Sequence, residues 1–272
     1  MFVLFRITCS MLIISSSHSK SVVFPAQFQD TQLRVLGGRD MRPDEYSAVV
    51  VFIDFELGSV RICTGVMMTD YWGLTAAHCT IFDNTLHVWY KNFTEQPIRL
   101  ETAVEILETF IHPSFRMTTY KNRAIKMEND ICLFHSFKVN VKGFARLSAV
   151  DYTTMLGLPI AYVGGGSTSV NTVLYNNISA EDNVRQLQVG EGLITRCGPY
   201  LRMMSKYIIC ISPKCANRGE TPWPGDSGGP LIHDNRVIGV ASLILPNVTI
   251  GFTPVSPYLD WIYQITHSRD NF

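Results

Sequence analysis

Gly225-Asp226-Ser227-Gly228-Gly229-Pro230 is the stretch that decides how the rest of this chain is interpreted. Glycines on both sides of Ser227 predict a tight turn whose backbone can approach a bound molecule closely. Standing alone, the stretch could equally be a glycine-rich turn with an exposed serine. It does not stand alone, because two other segments carry a histidine and an aspartate: Leu74-Thr75-Ala76-Ala77-His78-Cys79 and Asn129-Asp130-Ile131.

Together these segments supply the groups that a reactive serine needs. A serine hydroxyl is a poor nucleophile unless an imidazole takes its proton, and a buried carboxylate must hold that imidazole in one tautomer. His78, Asp130 and Ser227 occur in the order histidine, aspartate, serine. Subtilisin-type and α/β-hydrolase enzymes order these groups differently. The segments therefore predict a serine nucleophile outside those two classes.

Composition excludes several other kinds of function. The chain has 272 residues, of which 46% are hydrophobic and 17% charged, as in ordinary globular proteins. Lys plus Arg and Asp plus Glu both number 23, so no net field would attract nucleic acid or an anionic membrane. The cysteines do not form the short paired clusters of a zinc site. We expect no metal, no organic cofactor, and neither nucleic acid nor a membrane as partner.

The pattern along the chain predicts an all-β protein with one helix at its end. Short segments rich in β-branched and aromatic residues recur between turn signals, with no long amphipathic helix among them. Ser256 as N-cap, Pro257 at the first helical position and apolar spacing up to His267 predict the C-terminal helix. The predicted strands cover residues 48–55, 85–90, 103–111, 131–134, 159–163, 207–211 and 237–245.

The N-terminal segments indicate a secreted, extracellular protein. Residues 1–19 combine Arg6, a short apolar stretch and small residues at a cleavage site, as in a signal peptide. Residues 20–34 are mixed and polar and are predicted to be a propeptide. Sequons accept glycans only in a chain that enters the secretory route. Three sequons begin at Asn92, Asn177 and Asn247.

At the serine, histidine and aspartate segments the chain resembles the trypsin/chymotrypsin family of serine peptidases, from Arg34 to about Ile265. The resemblance implies one protease domain over residues 35–272, built from two packed antiparallel β-barrels with the site in the cleft between them. The barrels would cover roughly residues 35–147 and 148–254. A protein or peptide substrate is implied, and a protein inhibitor is a further partner to expect.

The resemblance also implies a role for each residue of the site. Ser227 would be the nucleophile, His78 the general base and then acid, and Asp130 the group that orients His78. The backbone N–H groups of Gly225 and Ser227 would form the oxyanion hole. Ser242 matches the family serine whose hydroxyl helps to hold the aspartate, although an ordinary strand serine fits nearly as well.

Arg34-Val35-Leu36-Gly37-Gly38 matches the activation junction of family zymogens. A trypsin-like protease would cut after Arg34, and the freed amino group of Val35 would fold inward to pair with Asp226. An ion pair buried in this way stabilises a structure only when its geometry is good, and in the family it shapes the oxyanion hole. The uncut protein should therefore be largely inactive.

The cysteines fit the family only in part. The resemblance implies bridges between Cys63 and Cys79 and between Cys197 and Cys210. Cys132 takes a position usually filled by a small buried residue, so we expect an inert core thiol. Cys215 has no obvious partner.

Departures from the family sustain a second hypothesis. Trp223 replaces the cysteine that normally bridges the wall of the specificity pocket, and Leu243 replaces a usual tryptophan. The alternative to an active endopeptidase is a non-catalytic homologue that binds or regulates other proteins. Because the three site residues, Gly225 and the junction are all retained, we favour the peptidase.

The specificity pocket differs from that of trypsin. Thr221 occupies the position at the base of the pocket, where an aspartate would pair with Arg or Lys, so a buried cation would find no counter-charge. Ile244 and Ile250 match the two wall positions, which are usually glycines, and their β-branched side chains would fill the space of a large aromatic residue. We expect cleavage after small aliphatic residues, or a pocket that is closed altogether. A misaligned loop around residues 246–249 would leave the walls open instead.

Overall fold

The computed structural model describes residues 38–42, 44–81, 86–120, 123–166, 184–213, 225–245 and 249–269. Fifteen strands lie in this part of the chain. They are β1 Arg39–Asp40, β2 Val49–Asp54, β3 Val60–Met67, β4 Trp72–Thr75, β5 Leu86–Trp89, β6 Ala103–Ile111, β7 Arg116–Tyr120, β8 Arg123–Glu128, β9 Cys132–Ser136, β10 Pro159–Gly164, β11 Gln188–Thr195, β12 Ile209–Pro213, β13 Pro230–His233, β14 Arg236–Leu245 and β15 Thr249–Pro254.

The first barrel closes in the order β2-β3-β4-β9-β6-β5 with antiparallel pairing throughout. All six residues of β2 are buried, although side chains alternate between the two faces of a strand. Val50 and Phe52 pack inside the barrel, whereas Val49, Val51 and Ile53 pack in a core shared with strands of the second barrel. The continuous apolar run of β2 therefore reflects burial on both faces.

The second barrel closes because β11 pairs with both β10 and β12 in the order β11-β10-β13-β14-β15-β12. The expected fold of two packed antiparallel barrels is thus confirmed. Strand β1 pairs with β11 outside this ring, with Arg39 opposite Val189. Residues 39–40 therefore extend the sheet of the second barrel, although residues 35–147 were expected to form the first. A two-residue strand carries no pattern that would indicate its partner.

Two α-helices lie in the described part of the chain. Helix α1, Pro199–Met204, packs against β8 of the β7–β8 hairpin, which forms a separate two-stranded sheet. Helix α2, Leu259–Arg269, confirms the predicted C-terminal helix. A 3₁₀ turn over Ser256–Tyr258 precedes α2 and Ser256 lies inside that turn, so the expected N-cap at Ser256 is wrong. No helix among the described residues has the length and apolar composition to cross a bilayer.

Candidate active site

The pairing of β4 with β9 brings His78 and Asp130 together. Thr75 at the end of β4 lies opposite Cys132 at the start of β9. His78 follows Thr75 in a short 3₁₀ turn, Ala77–Cys79, and Asp130 lies two residues before the start of β9. His78 Nδ1 lies 2.7 Å from Asp130 Oδ2, and the backbone N–H of His78 donates to Asp130 Oδ1 at 2.9 Å.

Asp130 is buried and accepts a third hydrogen bond from the second barrel. Ser242 on β14 donates its hydroxyl to Asp130 Oδ2 at 2.6 Å. An ionised carboxylate can only accept, so the ring nitrogen of His78 that faces it must carry the hydrogen. Nε2 then keeps a free lone pair for a proton. The geometry expected for Ser242 is present.

The charge of Asp130 governs the protonation of His78. Burial by itself lowers the pKa of His78, but the charge of Asp130 and the hydrogen bond to it outweigh burial. The pKa of His78 is therefore raised above its ordinary value. A raised pKa makes the imidazole a stronger base.

The turn before Asp130 is held by a residue that the sequence analysis did not single out. Asn129 has φ 52°, a left-handed conformation that Asn tolerates better than most residues. Its side chain donates to the Ser114 carbonyl at 2.8 Å and accepts from the Tyr258 hydroxyl at 2.9 Å. The signal that could have found it is an Asn directly before a candidate site aspartate.

Ser227 lies beside the turn that carries His78. The Ser227 carbonyl accepts from the Thr64 N–H at 2.8 Å, and the Gly228 N–H donates to the Ala241 carbonyl at 2.7 Å. A Cβ at Gly228 would collide with Thr75 and with the Thr64 carbonyl, so only glycine fits there. Within the described residues, the Ser227 hydroxyl makes no hydrogen bond to His78. The structure thus places the serine next to this turn without joining the two side chains, a common state in proteases without substrate.

Gly225 and Asp226 pack against the turn at Gly164–Gly166. Gly225 has φ +99°, and a Cβ on it would collide with Gly166. The carboxylate of Asp226 is buried and accepts from the Gly166 N–H at 2.7 Å. A Cβ at Gly164 would occupy the place of that carboxylate, which accounts for glycine there.

Both expected disulfides are present, Cys63–Cys79 and Cys197–Cys210. The sulfurs of the first lie within 4.8 Å of a ring nitrogen of His78, but bridged sulfurs are not thiolate ligands for a metal. Cys132 is a buried free thiol. Burial raises its pKa to about 12, although the Thr80 hydroxyl donates to it, so the thiolate is scarce at neutral pH.

Several predicted residues lie outside the described part of the chain or have only their backbone in it. Ile244 and Ile250 face each other in the β14–β15 pairing, but their side chains are not described. Asn92 is exposed in a turn with φ 57°. Outside the described residues lie the signal and propeptide segments and Arg34, Val35, Asn177, Cys215, Thr221, Trp223 and Asn247.

Comparisons with known proteins agree with this architecture. A family model described as Trypsin matches residues 35–262. Serine protease harobin from Hydrophis hardwickii is 25% identical and covers 98% of both chains. Granzyme F from Mus musculus is 28% identical over 84% of this chain and 89% of its own. A solved structure titled HL collagenase has a TM-score of 0.64 at 22% identity, over 85% of this chain and 97% of that one.

Proposed function

Because the chain belongs to the trypsin family of serine proteases, we propose that it is an active serine endopeptidase whose catalytic residues are His78, Asp130 and Ser227. The observation that carries the proposal is the buried carboxylate of Asp130, which binds the ring of His78 and the hydroxyl of Ser242. Such a carboxylate orients the imidazole and stabilises its protonated form during catalysis.

The proposed reaction has two halves. As Ser227 attacks the scissile carbonyl, its proton passes to Nε2 of His78, and the N–H groups of Gly225 and Ser227 bind the oxyanion. His78 then gives this proton to the leaving amine, and an acyl-enzyme forms. Water, deprotonated by His78, hydrolyses the acyl-enzyme and restores Ser227.

Activation by cleavage after Arg34 is part of the proposal, and the sheet makes it feasible. Asp40 lies opposite Gln188, which lies opposite Gly164, the residue that contacts Asp226. Two strand spacings separate Asp40 from Gly164 by about 10 Å. An extended chain from residue 35 to residue 40 spans about 17 Å, so the amino group of Val35 could reach Asp226.

We further propose that the protein is secreted, carries glycans at its sequons and cleaves proteins or peptides after small aliphatic residues. Asn92, which is exposed, supports the glycan proposal. The names of the relatives include granzyme and venom plasminogen activator, which supports protein substrates. An activating trypsin-like protease and a protein inhibitor would be its regulatory partners.

The alternative is a non-catalytic homologue, which the missing Ser227–His78 hydrogen bond and Trp223 keep open. A fluorophosphonate probe distinguishes the two after cleavage at Arg34, since only an activated serine reacts with it. We expect labelling of the cleaved protein and none of Ser227→Ala. Ser227→Ala should keep the wild-type melting temperature while its turnover falls to background. An unlabelled wild-type protein would favour the homologue.

A further inference from the structure

Thr64, which the mechanism above does not use, connects the two barrels at the active site. It lies on β3 next to Cys63, and its side chain is fully buried. Its Oγ1 accepts from the Gly165 N–H at 2.9 Å and donates to the Gly225 carbonyl at 2.7 Å. An N–H can only donate and a carbonyl can only accept, so the direction of both bonds is determined.

The backbone of Thr64 makes two more contacts at the same place. Its N–H donates to the Ser227 carbonyl at 2.8 Å, and its carbonyl accepts from the Thr75 hydroxyl at 2.9 Å. Thr64 therefore touches both residues whose N–H groups would bind the oxyanion. It also touches the strand that leads into His78.

The accepting side of the Thr64 hydroxyl is held firmly. The Gly165 carbonyl accepts from Arg61 at 3.3 Å and from Arg185 at 3.1 Å. The adjoining Gly166 N–H donates to Asp226, so the peptide between residues 165 and 166 is bound at both its polar atoms. Arg61 is itself buried, with its guanidinium 4.7 Å from the ring centre of Trp89. Gly165 is therefore held in place by the peptide that follows it, while its own N–H, in the preceding peptide, donates to the Thr64 hydroxyl.

The donating side of the hydroxyl holds a residue with unusual freedom to rotate, because glycine adopts positive and negative φ about equally well. Gly225 has φ +99°, in the region where L side chains are rare, and it is buried. A buried carbonyl that loses its partner is left unsatisfied, which favours rotation of the peptide toward another partner. Rotation of the Gly225–Asp226 peptide would turn the flanking N–H groups away from a common point.

We propose that Thr64 is a positioning residue, whose hydroxyl holds the Gly225 carbonyl and thereby keeps the oxyanion hole assembled. The proposal rests on the proposed peptidase function for its kinetic consequence. Thr64 itself touches no substrate. Its effect acts through the direction of the Gly225 and Ser227 N–H groups.

Two substitutions separate this role from simple packing. Thr64→Val keeps the shape and the γ-methyl group, which lies against Gly229, but removes the hydroxyl. Thr64→Ser keeps the hydroxyl and removes the methyl. Thr102→Val is the matched control, because Thr102 is also buried and its hydroxyl accepts from the Ile98 N–H at 2.7 Å within the first barrel.

For the activated enzyme, we expect Thr64→Val to lower kcat roughly 10- to 100-fold with little change in KM, since oxyanion contacts act mainly in the transition state. Thr64→Ser should stay within about threefold of wild type, as should Thr102→Val. A packing role predicts the reverse order, with Val tolerated and Ser impaired. That order, or a higher KM at unchanged kcat, would overturn the proposal.

Hydrogen exchange tests the same contact without requiring turnover. The backbone amide hydrogens of residues 225–230 should exchange faster in Thr64→Val than in Thr64→Ser or Thr102→Val. Equal exchange in all three variants would overturn the role of Thr64, whether or not the protein is a peptidase. Faster exchange in Thr64→Val, combined with a wild-type protein that does not react with the fluorophosphonate, would support the Thr64 contact and refute the proposed activity.

Discussion

Asp130 accepts from the backbone N–H and the ring of His78 and from the hydroxyl of Ser242. Because the aspartate and its charge raise the pKa of His78, the folded protein binds this proton more tightly than the unfolded chain does. The pair therefore stabilises the fold below the ordinary imidazole pKa of about 6.5. That contribution is lost as the pH rises through the folded-state pKa of His78.

Replacing Asp130 by Asn should lower the pKa of His78, since the charge is removed while burial remains. NMR titration of the His78 ring measures this in the Ser227→Ala background, which prevents self-digestion. The raised pKa of His78 also predicts that the activity of the enzyme declines as the pH falls through that pKa, because protonated His78 cannot accept the proton of Ser227. A pH–rate profile of the activated enzyme measures this decline. An unchanged pKa in Asp130→Asn would show that the carboxylate does not control the imidazole.

Residues of the site differ in how far the sequence could identify them. His78, Asp130, Ser227 and Ser242 could be singled out because their types and neighbours suit a known chemistry. Thr64 could not, because a threonine in a strand is common, and Asn129 is marked only by its position directly before Asp130. Their partners, Gly225 and Tyr258, lie more than a hundred residues away in the chain.

At the scale of elements, strand β4 shows why some strands were missed. Gly73 in β4 is buried, and the ring of Phe134 fills the space where its Cβ would be. Phe134 meets Phe52 edge to face at 5.0 Å inside the first barrel. A glycine in a short strand weakens the local signal, but this one is needed by the packing.

We expect Gly73→Ala to destabilise the protein by about 1–3 kcal/mol, because the added methyl group overpacks the barrel. Chemical unfolding measures the change. Gly143→Ala is the control, since a Cβ there meets only Ser47 Oγ at 3.4 Å. The double variant Gly73→Ala/Phe134→Leu should lose less free energy of unfolding than the two single variants lose in total. Equal losses for Gly73→Ala and Gly143→Ala would contradict this account of Gly73.

The specificity prediction concerns two residues on the paired strands β14 and β15. Ile244 is paired directly with Ile250, so the two predicted wall positions are neighbours in the sheet. We expect profiling of the activated enzyme on a peptide library to find cleavage after Ala or Val. Changing both isoleucines to glycine should add cleavage after Phe or Tyr, because the side chains predicted to fill the pocket are removed. Efficient wild-type cleavage after Arg, Lys, Phe or Tyr would contradict the prediction.

At the scale of the whole molecule, activation should depend on the two barrels and the N-terminal junction together. Arg34→Gln should remain inactive when treated with a trypsin-like protease, because no amino group is freed at residue 35 to pair with Asp226. Peptide hydrolysis and N-terminal sequencing measure activity and cleavage together. Full activity without a new N-terminus at Val35 would refute the zymogen proposal.

Asp226→Asn is the complementary variant for the same mechanism. It should be cut normally after Arg34 but gain little activity, since an amide offers no negative charge to the new amino group. Cut and uncut protein can be compared by the same assay. Normal activation of Asp226→Asn would place the partner of the amino group elsewhere.

The sequence by itself determined the all-β class and the order of histidine, aspartate and serine, because strand patterns and motifs are visible in residue types and spacing. The two barrels and the cysteine pairs were implied by the resemblance to the trypsin family. Only the tertiary structure decided that β1 extends the second barrel and that Thr64 joins β3 to Gly225. Both depend on contacts between segments far apart in the chain. Such contacts arise when the barrels close and pack, and hydrophobic periodicity does not encode which distant backbone group a buried hydroxyl will meet.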